Sequence, residues 1–187
     1  MDTDFLVDYI FRGQAPKLEL ELSFVDTKRF TAVTKFPEGE QCWLSDEPVF
    51  ERLRATTTMP GPSKFGVTIG GVVYADGCLS TSLEDCVDKA FVEGAKKVVV
   101  IDNSVHGPVS AVSKAFLRFA SRKAPDCMKR AVERFCSIET KPLQSSERVF
   151  VCRAENLPSQ HGLTRPAHLS RASIEQGYAD AGRLNLT

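Results

Sequence analysis

The segment Phe65-Gly-Val-Thr-Ile-Gly-Gly-Val-Val-Tyr-Ala-Asp-Gly77 contains two short apolar runs that are separated by Gly70-Gly71. A Gly-Gly pair between two such runs is typical of a tight hairpin turn, so the segment predicts a β-hairpin. The second strand of this hairpin leads to Asp76. Open α/β sheets often hold ligand-contacting residues at the carboxyl ends of their strands, which makes Asp76 a candidate functional residue.

A helix and a further strand are predicted directly after the hairpin. Thr81 or Ser82 can cap the start of the helix, apolar residues recur at helical spacing across residues 83–91, and Gly94 occupies the expected left-handed cap position. Residues 97–101 then form an apolar, β-branched run, the composition of a strand covered on both faces. A strand, a helix and a strand in this order predict parallel pairing through a right-handed crossover.

The rest of the chain continues this α/β alternation. Strands at 30–36 and 41–44 form a predicted hairpin, and a helix capped by Ser45 or Asp46 is expected to end near Thr58. The other predicted elements are helices at 4–11, 109–122, 126–137 and 166–184 and a strand at 148–153. The sequence therefore predicts a single α/β domain over residues 1–187 with a mainly parallel sheet.

The charge balance excludes a partner that needs a strong field over the whole surface. The 187 residues include 24 basic and 24 acidic side chains, a formal net charge of zero. No nucleic-acid partner is expected on this ground. The longest apolar run, residues 98–101, falls far short of the roughly 20 residues that cross a bilayer.

Six cysteines are spread along the chain without a Cys-x-x-Cys pair. Free, mostly buried thiols in a reducing, cytoplasmic compartment are expected, although the even count also allows three disulfides. No histidine lies close enough in sequence to a cysteine pair to suggest a zinc site.

Several segments around the hairpin resemble one known family. Arg54-Ala-Thr-Thr-Thr-Met-Pro-Gly61 precedes the hairpin, Val73-Tyr-Ala-Asp-Gly77 ends it, and Gly94-Ala-Lys-Lys-Val-Val-Val-Ile-Asp102 follows the next helix. These segments resemble the patatin-like phospholipases, in particular the bacterial branch, and the resemblance runs nearly from end to end. The other similar segments are Asp8-Tyr-Ile-Phe11, Phe30-Thr-Ala-Val-Thr34, Leu163-Thr-Arg-Pro166 and Gly177-Tyr-Ala-Asp180.

The resemblance implies a partial three-layer fold related to the α/β-hydrolases and a lipid acyl hydrolase activity. Its implied substrates are phospholipids, lysophospholipids or other acyl esters, with peripheral contact at membranes. In that family a serine on a strand-to-helix elbow attacks the ester, backbone amides stabilise the oxyanion, and an aspartate replaces histidine as the base. Asp76 is the implied general base and Gly77 belongs to the implied active-site loop. No metal or organic cofactor is implied.

Two departures from the family pattern change the expected activity of this chain. Cys78 stands where the family commonly has a second glycine after Asp-Gly. No Gly-x-Ser-x-Gly occurs in the chain, and only 75 residues precede Asp76, too few for the first strand, the glycine-rich turn and the elbow. The chain is therefore expected to lack the amino-terminal half of a patatin domain and to be inactive alone, since losing the nucleophile lowers turnover by about 10⁶.

Other side chains are weaker candidates for the nucleophile. Ser63 has Phe65 where an elbow needs glycine, and Ser80 and Ser82 are expected to cap the following helix. Cys78 is expected to be a structural thiol, because a neighbouring carboxylate raises the pKa of a thiol. The histidines, His106, His161 and His168, are expected at the surface.

Basic residues are interleaved with Phe116, Leu117 and Phe119 in the helices predicted at 109–122 and 126–137. This pattern is typical either of a solvated face on core helices or of an amphipathic surface that contacts phospholipid head groups. A non-catalytic alternative function is a remnant that binds lipid or a protein partner through the surface that the missing strands would leave bare. An exposed sheet edge is expected to promote self-association.

Overall fold

The computed structural model describes residues 28–60, 65–102, 107–108, 111–137, 139–153 and 167–182. Helices and strands are mixed throughout these ranges, which confirms the α/β class. The helix predicted at residues 4–11 lies outside the described residues. The chain divides into two compact units: unit 1 is Met1–Ser82 with Pro108–Thr140, and unit 2 is Leu83–Gly107 with Lys141–Thr187.

Unit 1 contains a four-stranded antiparallel sheet. Its strands are β1 (Thr31–Phe36), β2 (Glu40–Leu44), β3 (Val67–Ile69) and β4 (Val72–Asp76), in the spatial order β2-β1-β4-β3. Both predicted hairpins are confirmed, and Gly70 and Gly71 connect β3 to β4 with φ angles of 56° and 81°. In the register of β1 with β4, Val33 lies opposite Asp76.

Helix α1 (Val49–Thr56) follows β2 and buries Phe50 almost completely. Its amino end has no side-chain cap, so the predicted cap at Ser45 or Asp46 is wrong. The residue at the cap position is Pro48, whose carbonyl accepts the first backbone hydrogen bonds of the helix. Ser45 and Asp46 stand too early in the chain to occupy that position.

The main core of unit 1 is formed by the sheet, a 3-10 turn (Gly77–Leu79) and the helices α3 (Ala111–Ser121) and α4 (Asp126–Ser137). Both helices and their junction at Pro125 were expected from the sequence. Helix α4 is strongly amphipathic, because its buried residues recur three, four and eight positions after the first. The buried residues of this core are Phe36, Ala75, Leu79, Ala124, Met128, Ala131, Val132 and Cys136.

Unit 2 contains α2 (Leu83–Val92), β5 (Val98–Asp102), β8 (Val149–Arg153) and α5 (Ala167–Gly182). Strands β5 and β8 pair in parallel, with Val98 opposite Val149 and Asp102 opposite Arg153. Gly94 follows α2 with a φ of 97°, as predicted for its cap. Two very short strands, β6 (Gly107–Pro108) and β7 (Glu139–Thr140), pair with each other.

The pairing predicted between β4 and β5 is wrong. Strand β4 already has β1 on one edge and β3 on the other, which leaves no edge for β5. Within the described residues, the largest sheet is antiparallel, so a mainly parallel sheet is not confirmed. The expectation that β5 is covered on both faces is also wrong, because Val99 is 48% exposed and Ile101 is 72% exposed.

Candidate functional site

Asp76 is the last residue of β4, and its backbone is fixed on both sides. Its N–H donates to the carbonyl of Thr58 at 2.9 Å, and its carbonyl accepts from the hydroxyl of Thr34 at 2.8 Å. Thr34 is 0% exposed and Thr58 is 2% exposed, so both partners belong to the core. The strand end that carries the implied base is therefore rigidly anchored.

The Asp76 carboxylate caps the 3-10 turn that follows it. Oδ1 accepts from the backbone N–H of Cys78 at 2.9 Å. Burial raises the pKa of the Asp76 carboxyl above its ordinary value, while hydrogen bonds from Cys78 favour the charged form and oppose that rise. A carboxylate with a raised pKa accepts a proton more readily than an ordinary one, which is the property that a general base needs.

Gly77 is buried against β1. A Cβ at this position would lie 2.5 Å from the carbonyl oxygen and 2.7 Å from the carbonyl carbon of Ala32. The glycine is therefore required by close approach to a neighbouring strand. A left-handed conformation is not the reason, since Gly77 does not have positive φ.

No serine hydroxyl within the described ranges donates to the Asp76 carboxylate. Ser80 is one of the predicted candidates that the structure describes, and its hydroxyl lies 2.8 Å from the Thr34 hydroxyl. Its expected role as the cap of α2 is not the one observed, because the hydroxyl bonds to a residue of β1. Ser63 lies outside the described residues.

The surroundings of Cys78 disfavour the thiolate form that a nucleophile needs. Burial of the thiol and the nearby Asp76 carboxylate both raise its pKa, although the residue as a whole is exposed. All six cysteines are free thiols in the structure. Only Cys136 is buried, so the expectation of mostly buried thiols is wrong.

Metal and histidine chemistry find no support in the part of the chain that is described. No group of three or more His, Cys, Asp or Glu side chains there is arranged to hold a metal ion. His106 and His161 lie outside the described residues, and the side chain of His168 is not described.

The sequence missed Thr34 and Thr58 as supports of the site. Thr34 precedes Asp76 by 42 residues, and only the pairing of β1 with β4 brings the two together. Sequence spacing carries no signal for such a contact.

A scan against protein-family models and searches of the curated proteins and the solved structures found no match for this chain.

Proposed function

We propose that this chain carries the general base of a patatin-like lipid acyl hydrolase, with Asp76 as the base. The observation that supports the proposal is a carboxylate of raised pKa at an anchored strand end, directly before a glycine that allows close packing. The proposed substrates are phospholipids, lysophospholipids or other acyl esters. A cytoplasmic location with peripheral contact at membranes belongs to the same proposal.

In the proposed reaction, Asp76 removes the proton from a serine hydroxyl as the serine attacks the ester carbonyl, and later returns it to the leaving alcohol. The 187 residues hold no Gly-x-Ser-x-Gly, so the proposal assigns the serine and the oxyanion amides to residues outside them. A single incomplete patatin-like domain is the fold that goes with this assignment. The antiparallel sheet of unit 1 is not something the resemblance predicts.

A complementation experiment tests the role of Asp76. The chain is co-expressed with a polypeptide that carries the glycine-rich turn and Gly-x-Ser-x-Gly elbow of a patatin, and hydrolysis of p-nitrophenyl butyrate is measured. Turnover is expected in the pair and expected to be lost in Asp76→Asn. Asp126→Asn, which changes an exposed carboxylate of α4, serves as the matched control and retains turnover.

Three results contradict the proposal. The first is a folded pair whose turnover is unaffected by Asp76→Asn, and the second is a folded pair without turnover. The third is hydrolysis by the 187 residues alone together with labelling by a serine-directed fluorophosphonate, because the nucleophile would then lie within this chain.

A second candidate function is a non-catalytic module that binds lipid or a protein partner. The observation that favours it is the exposure of large apolar side chains in both units, from 48% for Val99 to 81% for Val92. In this case Asp76 serves only as the cap of its turn, and Asp76→Asn changes stability without changing any activity.

No helix in the described ranges is long and apolar enough to cross a membrane.

A further inference from the structure

Helix α3 exposes a continuous row of large apolar side chains. Val112 is 80% exposed, Phe116 is 64% exposed and Phe119 is 58% exposed. Their spacing of four and three residues places them on one side of the helix, and we call these three residues the α3 apolar face. The helix turns a different side to the core through Leu117 and Ser121. The apolar face is therefore a contiguous surface that the core does not use.

Positive charge lies beside this face. Residues 111–123 carry four basic and no acidic side chains. The Arg122 guanidinium lies 4.5 Å from the centre of the Phe119 ring, so a cation is held directly beside the apolar face. Lys123 follows it at an exposed position.

The helix packed against α3 neutralises only part of this charge. On α4, Glu133 accepts two hydrogen bonds of 2.8 Å from Arg118, and Asp126 pairs with Lys129 at 2.9 Å. Residues 111–137 together hold seven basic and two acidic side chains, a net charge of +5 in a chain whose formal charge is zero. The α3 apolar face thus lies in a part of the chain with a large net positive charge.

We propose that the α3 apolar face inserts into the interfacial layer of an anionic phospholipid bilayer. Phenylalanine rings beside basic side chains fit such a surface, because the rings enter the acyl boundary while the cations meet phosphate and carboxylate head groups. An 11-residue helix is about 16 Å long, which suits a helix lying along the surface. Two copies of this chain meeting through the same face would bring two cationic segments together, so a second copy is the poorer occupant.

The inference deepens the peripheral membrane contact of the proposed function. Vesicle sedimentation tests it without turnover, so its failure can be told apart from a failure of Asp76 as the base. Binding is expected to vesicles of phosphatidylcholine with about 30 mol% phosphatidylserine and is expected to fall as salt rises from about 0.1 M to about 0.5 M. Phe116→Ser with Phe119→Ser is expected to weaken binding by about tenfold or more. Arg122→Gln with Lys123→Gln, which neutralises both charges, is expected to weaken it by about fivefold per residue.

The matched control removes exposed apolar area elsewhere. Ile174 and Tyr178 on α5 are 61% and 78% exposed, and Ile174→Ser with Tyr178→Ser is expected to leave binding unchanged. Circular dichroism and thermal melting check that each variant is folded. Equal binding to pure phosphatidylcholine, equal loss in the α5 control, or no vesicle binding by the folded chain would overturn the inference. A dimer that dissociates in the Phe116/Phe119 variant without vesicle binding would instead identify a second copy as the occupant, and would also overturn it.

Discussion

Gly77→Ala measures how tightly the candidate site is packed against β1. The new Cβ would lie 2.5 Å from the Ala32 oxygen and 2.7 Å from the Ala32 carbon, whereas a relaxed contact needs about 3.5 Å. Either the turn or β1 must therefore move by about 1 Å. Ala32 lies in a strand that pairs with β2 on one edge and β4 on the other, so it cannot retreat alone. We expect a loss of about 3 kcal/mol in the free energy of unfolding, the upper end of the usual range for overpacking.

Urea denaturation followed by tryptophan fluorescence provides the assay. Trp43 is the single tryptophan and lies opposite Ala32 in the register of β2 with β1, so it reports on the strand that the new methyl group displaces. Gly177→Ala is the matched control, because a Cβ there meets nothing within 4 Å and the residue lies inside α5. Far-ultraviolet circular dichroism is expected to show a gain of up to about 1 kcal/mol for this control.

Unfolding of Gly77→Ala at the same urea concentration as the wild type, with a change below about 0.5 kcal/mol, would contradict the close packing of Gly77 against Ala32. That outcome would mean that β1 and the turn are farther apart than the structure places them. A lower midpoint with an unchanged denaturant slope is the expected result, since the substitution changes stability without changing the surface exposed on unfolding.

Two further predictions concern charged groups. Because burial raises the pKa of Asp76 above 3.8, the wild type is expected to lose stability as pH rises from about 4 through the folded-state pKa. Asp76→Asn is expected to remove this loss, so urea denaturation should show the variant gaining stability relative to the wild type between pH 4 and pH 7. A stability difference that stays constant over this range would contradict the raised pKa. Arg153→Met removes the guanidinium that lies 3.0 Å from the fully buried Asp102 carboxylate, and a loss of about 3 kcal/mol is expected by circular dichroism. Arg118→Ala, which removes the exposed pair with Glu133, is expected to cost much less stability than Arg153→Met. Similar losses for the two arginine variants would show that burial of Asp102 does not set the cost.

Elements governed by neighbouring residues could be read from the sequence. The Gly70-Gly71 turn and the cap at Gly94 are set by backbone preferences that act over a few residues, and both were predicted correctly. Pro125 separated two helices for the same reason, because proline cannot continue a helix interior. Local signals of this kind account for the hairpins and for most helix positions.

Strand partners over long distances could not be read in this way. The crossover between β4 and β5 was predicted from a strand-helix-strand order in the sequence. In the structure, β1 pairs with β4 instead, although Thr34 of β1 precedes Asp76 of β4 by 42 residues. The same distance hides the contact of Gly77 with Ala32 and the support of Asp76 by Thr34. The position of the acid was therefore predictable from its Asp-Gly pair, while the groups that hold it were not.

The two units are interleaved along the chain, so unit 1 is completed only after part of unit 2 has been synthesised. Unit 1 needs Pro108–Thr140 in addition to its first segment, because Met128, Val132 and Cys136 complete the core that contains Ala75 and Leu79. A ribosome that has delivered only the sheet has not yet made the side chains that shield it from water. The nascent sheet stays incompletely covered until the α4 residues leave the ribosome. A fragment that ends before α4 is expected to be bound by chaperones or degraded.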